Sequence, residues 1–201
     1  MSKQIWKPTT ILNPVPVVMV SCAGDTGKPN IITLAWAGTV NTKPPMVSIS
    51  IKKQRFSYDL IRNSGEFVIN LTTEALTKAA DYCGVVSGRD VDKFEAMKLT
   101  PGKCSIVGAP LIEESPVNME CVVRQVLELG SHDLFLGEVL AVHVDDRIID
   151  ESGRLSLGKA GLICYSHGEY VKLGKVLGFF GYSVADEKVL KRRMPGGKKN
   201  V

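Results

Sequence analysis

Met46-Val-Ser-Ile-Ser-Ile-Lys52 alternates strictly between apolar and polar residues, with Val47, Ile49 and Ile51 sharing one face. Alternation with a period of two predicts a half-buried β-strand. The residues before it, 30–40, are mostly apolar with several β-branched side chains, and they predict a second, longer strand. These two runs indicate that the fold is built on a β-sheet.

Strand-like runs recur on both sides of this pair. They are residues 17–21, 66–71, 117–129, 134–144, 162–165 and 170–173. The two long runs are joined by Gly130-Ser-His-Asp133, a plausible hairpin connection. Many strands at hairpin spacing predict an antiparallel barrel.

Helical patterns are few. Residues 73–83 carry apolar side chains at three- and four-residue spacing, which predicts a helix capped by Thr72 or Thr73. A short helix-like stretch follows Arg55-Phe-Ser57, and residues 84–116 have no long periodic run. Long irregular excursions of that kind are often functional. The expected fold is mainly β with flanking helices.

The length and charge indicate one globular domain, residues 1–185, followed by a basic tail, residues 186–201. The chain has 201 residues, of which 44% are hydrophobic and 23% charged. The tail holds Lys188, Lys191, Arg192, Arg193, Lys198 and Lys199. All six lie within residues 188–201, which hold no acidic residue; removing them from the 25 basic residues leaves 19 against 21 acidic ones in residues 1–187, so the rest of the chain is close to neutral. We therefore expect a solvated tail and no nucleic-acid partner.

The cysteines and the apolar segments exclude other classes. The five cysteines are odd in number and form no C-x-x-C pair, which argues against a disulfide framework or a zinc knuckle. The uncharged run from Pro8 to Gly24 is too short and too broken for a membrane span. The first seven residues lack the apolar core of a secretory signal, so a cytoplasmic protein is expected.

Several motifs of common enzyme classes are missing. No G-x-G-x-x-G occurs, Gly24-Asp-Thr-Gly-Lys28 lacks P-loop spacing, and Gly84-Val-Val-Ser-Gly88 is spaced wrongly for a nucleophile elbow. His132, His143 and His167 are too scattered for a local metal motif, so no metal is expected. Redox chemistry would have to come from a cofactor and not from thiols.

The succession of motifs resembles the flavin reductase-like, FMN-binding split-barrel family, and within it the flavoredoxins. The resemblance begins at Asn30-Ile-Ile-Thr-Leu-Ala-Trp36-Ala-Gly38 and continues through Arg55-Phe-Ser57, Asp92-Lys93-Phe94 and Gly130-Ser-His132 to about Tyr170. It implies an antiparallel split β-barrel that binds FMN. It also implies a homodimer with the flavin close to the subunit interface.

An FMN phosphate needs cations and hydroxyl or amide donors. The resemblance assigns this role to Arg55, Ser57 and Lys93, and the start of a helix beside Arg55 would add amide donors. The alternative interpretation, from the residues alone, is that Arg55 and Ser57 belong to a solvated turn. Lys93 would then be one more surface lysine on a charged loop.

The isoalloxazine ring needs a flat apolar wall and donors at its edges. The resemblance places Asn30 and Trp36 at the flavin, and their even separation puts both on one face of a regular strand. A strand-end asparagine and a core tryptophan are the alternatives. His132, at the hairpin tip, would contact the cofactor or a nicotinamide as the catalytic residue. Tyr165 and Tyr170 would lie near the ring. The alternatives are that His132 is a turn histidine facing water and that the two tyrosines are ordinary packing residues of their strands.

Three functions follow from these expectations. The first is an FMN-binding oxidoreductase that uses NADH or NADPH as a substrate, as a flavin reductase does. The second is a flavoredoxin-type electron carrier with permanently bound FMN and a redox protein partner. The third is a non-catalytic flavin- or haem-binding relative, because fold alone does not determine function.

Overall fold

A seven-stranded antiparallel sheet forms the body of the protein in the computed structural model, which describes residues 1–24 and 27–194. In spatial order its strands are β3 (Pro29–Leu34), β2 (Val18–Ala23), β6 (Glu66–Leu71), β9 (Val117–Glu128), β10 (Asp133–Val144), β5 (Pro45–Ile51) and β4 (Ala37–Thr42). The two outermost strands, β3 and β4, do not pair with each other, so the barrel is not closed. The mainly β class is confirmed.

Smaller elements surround this sheet. A three-stranded sheet contains β1 (Val15–Pro16), β11 (Ile163–Ser166) and β12 (Glu169–Lys172), and a two-stranded one contains β7 (Pro101–Gly102) and β8 (Leu111–Ile112). The helices are α1 (Phe56–Ser64), α2 (Thr77–Val85), α3 (Lys93–Met97) and α4 (Glu187–Arg193). Single 3₁₀ turns occur at Glu74–Leu76, Asp146–Ile148, Leu157–Lys159 and Tyr182–Val184.

Two apolar clusters explain why β2 and β3 are buried on both faces. One lies inside the curved sheet and includes Phe67 and Phe135, which are fully buried together with the α1 residue Ile61. The other lies outside β2 and β3, where α2 and α3 pack onto Met19 and Ile31. Burial of each such side chain is worth about 1.5–3 kcal/mol. The helices therefore sit against the edge of the sheet that carries Asn30.

The predicted hairpins are confirmed. Strands β9 and β10 pair from Asp133 with Glu128 to Val144 with Val117. Strands β11 and β12 pair in the same way around a turn at residues 167–168. The alternating run at 46–52 is β5, with Val47, Ile49 and Ile51 buried as expected.

The single strand predicted over residues 30–40 is wrong. The chain bends at Ala35 and Trp36 and forms two strands, β3 and β4, which pair with β2 and β5 at opposite edges of the sheet. The backbone carbonyl of Trp36 accepts a hydrogen bond from the Ser50 amide at 2.9 Å, which holds the bend. Because the regular strand is interrupted, the spacing argument that placed Asn30 and Trp36 on one face fails.

Two other local predictions need correction. The helix over 73–83 begins as a 3₁₀ turn at Glu74–Leu76 and continues as α2. Thr73 occupies the cap position but makes no side-chain cap bond, and the buried hydroxyl of Thr72 finds no hydrogen-bond partner in residues 1–24 and 27–194. The excursion over 84–116 is less irregular than expected, since it contains α3, β7 and β8.

The ends of the chain are only partly described. Helix α4 lies within the basic tail and carries Lys188, Lys191, Arg192 and Arg193, while Lys198 and Lys199 fall outside the described residues. The domain boundary at residue 185 stays a prediction. Across the part of the chain that the structure describes, no helix is both long and apolar enough to cross a membrane.

Candidate functional site

One groove contains every residue that the sequence predicted for the site. Its smaller hollow, of about 260 Å³, is lined by Asn30, Arg55, Ser57 and Lys93 among others. Its larger hollow, of about 560 Å³, is lined by Trp36, His132, Tyr165 and Tyr170. Arg55 and Ile32 line both hollows, so the two form one continuous groove. We call them the cationic hollow and the aromatic hollow.

The N-terminus of α1 forms one wall of the cationic hollow. Arg55 is the residue before its first turn, in an extended conformation, and Ser57 is almost fully buried within that turn. The Ser57 hydroxyl accepts a hydrogen bond from Asn30 Nδ2 at 2.7 Å, which joins α1 to β3. Unpaired amides at a helix N-terminus favour an anion. Asn30 therefore lies at the cationic hollow and not beside Trp36.

Lys93 forms the floor of the same hollow. The residue is 4% exposed, and its ammonium group donates to the carbonyls of Ile31, at 2.6 Å, and Cys83, at 2.8 Å. Burial lowers the pKa of Lys93, with the positive charge of Arg55 as a lesser cause in the same direction. A lysine has three N–H groups, and two of them are used by these carbonyls. The alternative of a solvated surface lysine is wrong.

The loop before α3 adds a second guanidinium that sequence reasoning missed. Arg89 lies over the ring of Phe56 at 5.3 Å and donates to the Gln54 carbonyl at 3.1 Å. Gly88, the residue before Arg89, lets the loop backbone lie close to Asn30 and Phe56, because a Cβ there would be 2.1 Å from Asn30 Oδ1 and 2.8 Å from Phe56 Cδ1. The sequence signal that could have identified Arg89 is its place four positions before Lys93. In the sequence, however, it is indistinguishable from the other charged residues of that loop.

The aromatic hollow is more open. Trp36 is 46% exposed, and its ring centroid lies 4.6 Å from that of His132. A core tryptophan is therefore excluded. His132 lies at the tip of the β9–β10 hairpin, as expected, and its Nδ1 is 2.9 Å from the Ser131 hydroxyl. Burial, and secondarily the charge of Lys52, lower the pKa of His132, which favours the neutral imidazole.

Two tyrosines of the β11–β12 hairpin close the other side of the aromatic hollow. Tyr165 and Tyr170 are paired across the hairpin with ring centroids 5.6 Å apart. The Tyr170 hydroxyl donates to Asp81 Oδ1 at 3.1 Å. Burial and this hydrogen bond raise the pKa of Tyr170 to about 12. Asp81 also lines the hollow, and no sequence pattern singled it out.

A third hollow, of about 860 Å³, opens beyond Trp36 and Tyr165. Its far wall is the extended N-terminal segment, residues 9–13, and the described residues that line it include no Lys, Arg, Asp or Glu. Ile11 and Leu12 in that segment are exposed. A large apolar surface is thus left open beside the aromatic hollow.

The chemistry of the groove fits a planar cofactor with a terminal phosphate. Arg55, Arg89 and Lys93 supply positive charge at one end, where the α1 amides also point. Trp36 and the two tyrosines supply aromatic surface at the other end. FMN combines these two requirements in one molecule.

Comparison with known proteins agrees with this fit. The model of the flavin reductase-like domain matches residues 12–174. The chain belongs to the flavin reductase-like family. Flavoredoxin of Desulfovibrio vulgaris (Miyazaki F) is 30% identical, with a TM-score of 0.83 over 89% of this chain and 97% of that one. This chain therefore has the split-barrel fold of the flavin reductase-like family.

Two further relatives extend the likeness. Flavoredoxin from Methanosarcina acetivorans is 26% identical, with a TM-score of 0.81 over 92% of this chain and 100% of that one. The uncharacterized protein YddH of Escherichia coli (strain K12) is 31% identical over 86% of this chain and 94% of its own. In each case the likeness spans most of both chains.

Proposed function

We propose that this protein is an FMN-binding oxidoreductase that moves reducing equivalents as an NAD(P)H-dependent flavin reductase does. The observation that carries the proposal is the division of one groove into a cationic and an aromatic hollow. When bound, the flavin supplies a ring that accepts hydride at N5. Lys93, Arg55 and Ser57 hold the phosphate, and Trp36 and Tyr165 orient the ring and exclude water.

His132 is the proposed catalytic residue. Its imidazole lies at the edge of the aromatic hollow in contact with Trp36, and burial favours its neutral form. A neutral imidazole donates a hydrogen bond from one nitrogen and accepts at the other. His132 would therefore hold a hydrogen bond to the cofactor or to a nicotinamide carboxamide.

A flavoredoxin-type carrier is the second candidate. It is favoured by the likeness to two flavoredoxins and by the exposure of Trp36, which leaves the ring end of the groove accessible to a redox protein. The two candidates differ in the electron donor. A nicotinamide reduces the enzyme directly, whereas a carrier needs a protein partner.

The absorption spectrum of the purified protein separates these functions. A flavin spectrum that NADH or NADPH bleaches without oxygen supports the reductase. A flavin spectrum that only a chemical reductant bleaches supports the carrier. A haem spectrum supports the non-catalytic relative, and a colourless protein that takes up no added FMN contradicts the proposal.

We also propose a homodimer with the groove near its interface. Exposed apolar side chains occur, among other places, in the N-terminal segment beside the groove and in the C-terminal segment, as Leu12, Leu177 and Phe180 illustrate. A second copy related by a two-fold axis would cover both surfaces. Light scattering that finds a monomer with FMN fully bound would count against this. The cytoplasmic location stays a prediction.

A further inference from the structure

Asp133 is a charged residue buried inside the protein, directly after His132. Its side chain is fully inaccessible, and Oδ2 accepts a hydrogen bond from the hydroxyl of Tyr58 at 2.6 Å. Tyr58 is itself 6% exposed. The hydrogen bond to Asp133, and then burial, raise the pKa of Tyr58. Oδ1 of Asp133 has no hydrogen-bond partner among the described residues.

This hydrogen bond joins the two ends of the groove. Tyr58 follows Ser57 in the first turn of α1, the element that forms the wall of the cationic hollow. Asp133 is the first residue of β10, and His132 precedes it at the aromatic hollow. The two elements are 75 residues apart in sequence. This hydrogen bond, together with the packing of the Tyr58 ring on Phe135 of β10, fixes the position of the hairpin relative to the N-terminus of α1.

Packing alone does not explain a carboxylate at this place. Burying a charge costs free energy unless it is fully paired. Lys53 is 3.6 Å from Oδ2, but it is half exposed and lies closer to Glu128, at 3.0 Å. Within the part of the chain that the structure describes, one oxygen of Asp133 has no hydrogen-bond partner. Its contribution to stability therefore does not account for a carboxylate at this position.

We propose that Asp133 and Tyr58 are positioning residues that hold His132 at a set distance from the cationic hollow, so that ring and phosphate are bound together. The inference rests on the proposed function. Groups that act on a reacting centre must be held within a fraction of an ångström, by neighbours whose own side chains are locked. Among the described residues, the tip beyond the paired strands is held by a backbone hydrogen bond from the Leu129 amide to the His132 carbonyl and by the contact of the His132 ring with Trp36. The buried Asp133 adds a restraint directly next to the imidazole.

The first test uses Tyr58→Phe and Asp133→Asn. Tyr58→Phe removes the hydroxyl but keeps the edge-to-face contact of this ring with Phe135, at 5.5 Å. Asp133→Asn weakens the hydrogen bond without leaving a buried charge unpaired, so that the two variants disturb the fold in different ways and at least one should fold. Each change is expected to slow flavin reduction about tenfold at saturating FMN. Glu128→Gln is the control, since it breaks the exposed ion pair with Lys53 and leaves the Tyr58 bond intact.

A double-mutant cycle separates positioning from a general loss of stability. In a His132→Ala background, Tyr58→Phe should cost almost nothing further in the rate of reduction, because the residue it positions is gone. A full tenfold loss in both backgrounds would overturn the inference. A matching loss of rate in Glu128→Gln would overturn it too.

The second readout needs no flavin. The chain has two tryptophans, so Trp6→Phe leaves the fluorescence of Trp36 alone, in contact with His132. Tyr58→Phe should change this emission in the apoprotein as much as His132→Ala does, and an unchanged emission would overturn the inference. If the wild type binds no flavin, the proposed function fails, while an emission change still supports the positioning of the tip.

Discussion

The cationic and the aromatic hollows are built in different ways. Lys93 and Ser57 are buried and are held by hydrogen bonds to β3 and α2. Trp36 and His132 lie at a bend and a hairpin tip, are partly exposed, and hold each other through one ring contact. We infer that the cationic hollow is part of the structural core, whereas the aromatic hollow is an adjustable surface. Substitutions should therefore affect stability at one end and rate at the other.

The largest effect is expected for Lys93→Ala combined with Arg55→Ala. Each charge-assisted contact to the phosphate is worth about ten- to a hundredfold in affinity, so FMN binding should fall by that much or more. Riboflavin has no phosphate and should lose far less. Titration of the apoprotein with both flavins measures the difference.

Lys78→Ala is the matched control, because Lys78 is an exposed lysine of α2 outside the groove. Lys93→Ala alone should also lower the free energy of unfolding by about 1–3 kcal/mol, since two buried carbonyls lose their donor. Equal losses of FMN and riboflavin would contradict the assigned role.

The second effect concerns stability far from the groove. Burial alone would raise the pKa of Glu120, but hydrogen bonds from His143 and the amides of Ser105, Ile106 and Val107 outweigh it and lower the pKa to about 2. A lowered carboxyl pKa gives stability that is present above pH 4.5 and is lost as the pH falls towards 2. The free energy of unfolding should fall by about 3 kcal/mol, because the pKa is lowered from 4.5 to about 2 and one pKa unit corresponds to about 1.36 kcal/mol.

Denaturant unfolding at pH 6, 4 and 2.5 should show this loss in the wild type. Glu120→Gln should be less stable at pH 6, and its difference from the wild type should shrink as the pH falls. A constant difference across that range would show that the carboxylate charge is not what holds the loop at 105–107.

The third effect is on rate. His132→Ala should slow flavin reduction about tenfold or more, because a hydrogen bond at the reacting ring is lost. The melting temperature of the apoprotein should hardly change, since its side-chain partner, Ser131, is exposed. Stopped-flow reduction and calorimetry measure the two quantities. A destabilised apoprotein with a normal rate would mean that His132 is structural.

The smallest effect is expected for Arg89→Ala. Arg89 is exposed at the rim of the cationic hollow, where ion pairing with the phosphate is screened by salt. FMN affinity should fall about two- to fivefold at low ionic strength and hardly at all at 1 M salt. Arg124→Ala, at a surface ion pair away from the groove, should have no effect on affinity at either salt concentration. A loss that persists at high salt would mean that Arg89 contacts the phosphate directly.

Much of the sheet was predictable because its signals are local. The alternation of β5 and the connection between β9 and β10 depend on neighbouring residues, and both were confirmed. The bend at Ala35 and Trp36 was missed, because no Gly or Pro marks it and its cause is pairing with two distant strands. Thr72 or Thr73 was expected to cap the helix over 73–83, but the helix begins with a 3₁₀ turn, and Thr73 at its cap position makes no side-chain cap bond.

The candidate site was predictable only where a family resemblance supplied it. Arg55, Ser57, Lys93 and His132 were named from motifs, and the structure brings them to one groove. Asp81 and Arg89 were not, because their partners Tyr170 and Phe56 are far away in sequence. No local pattern marks contacts of that kind.

By itself, the sequence determined the mainly β class, the hairpins and the residue types that a phosphate and an aromatic ring require, since periodicity and turn chemistry act over a few residues. Only the tertiary structure decided that Lys93 is buried and that Trp36 is exposed beside His132. It alone related the hairpin tip to α1 through Asp133 and Tyr58. Burial and long-range hydrogen bonds depend on which distant segments meet, and that is settled by the packing of the whole chain.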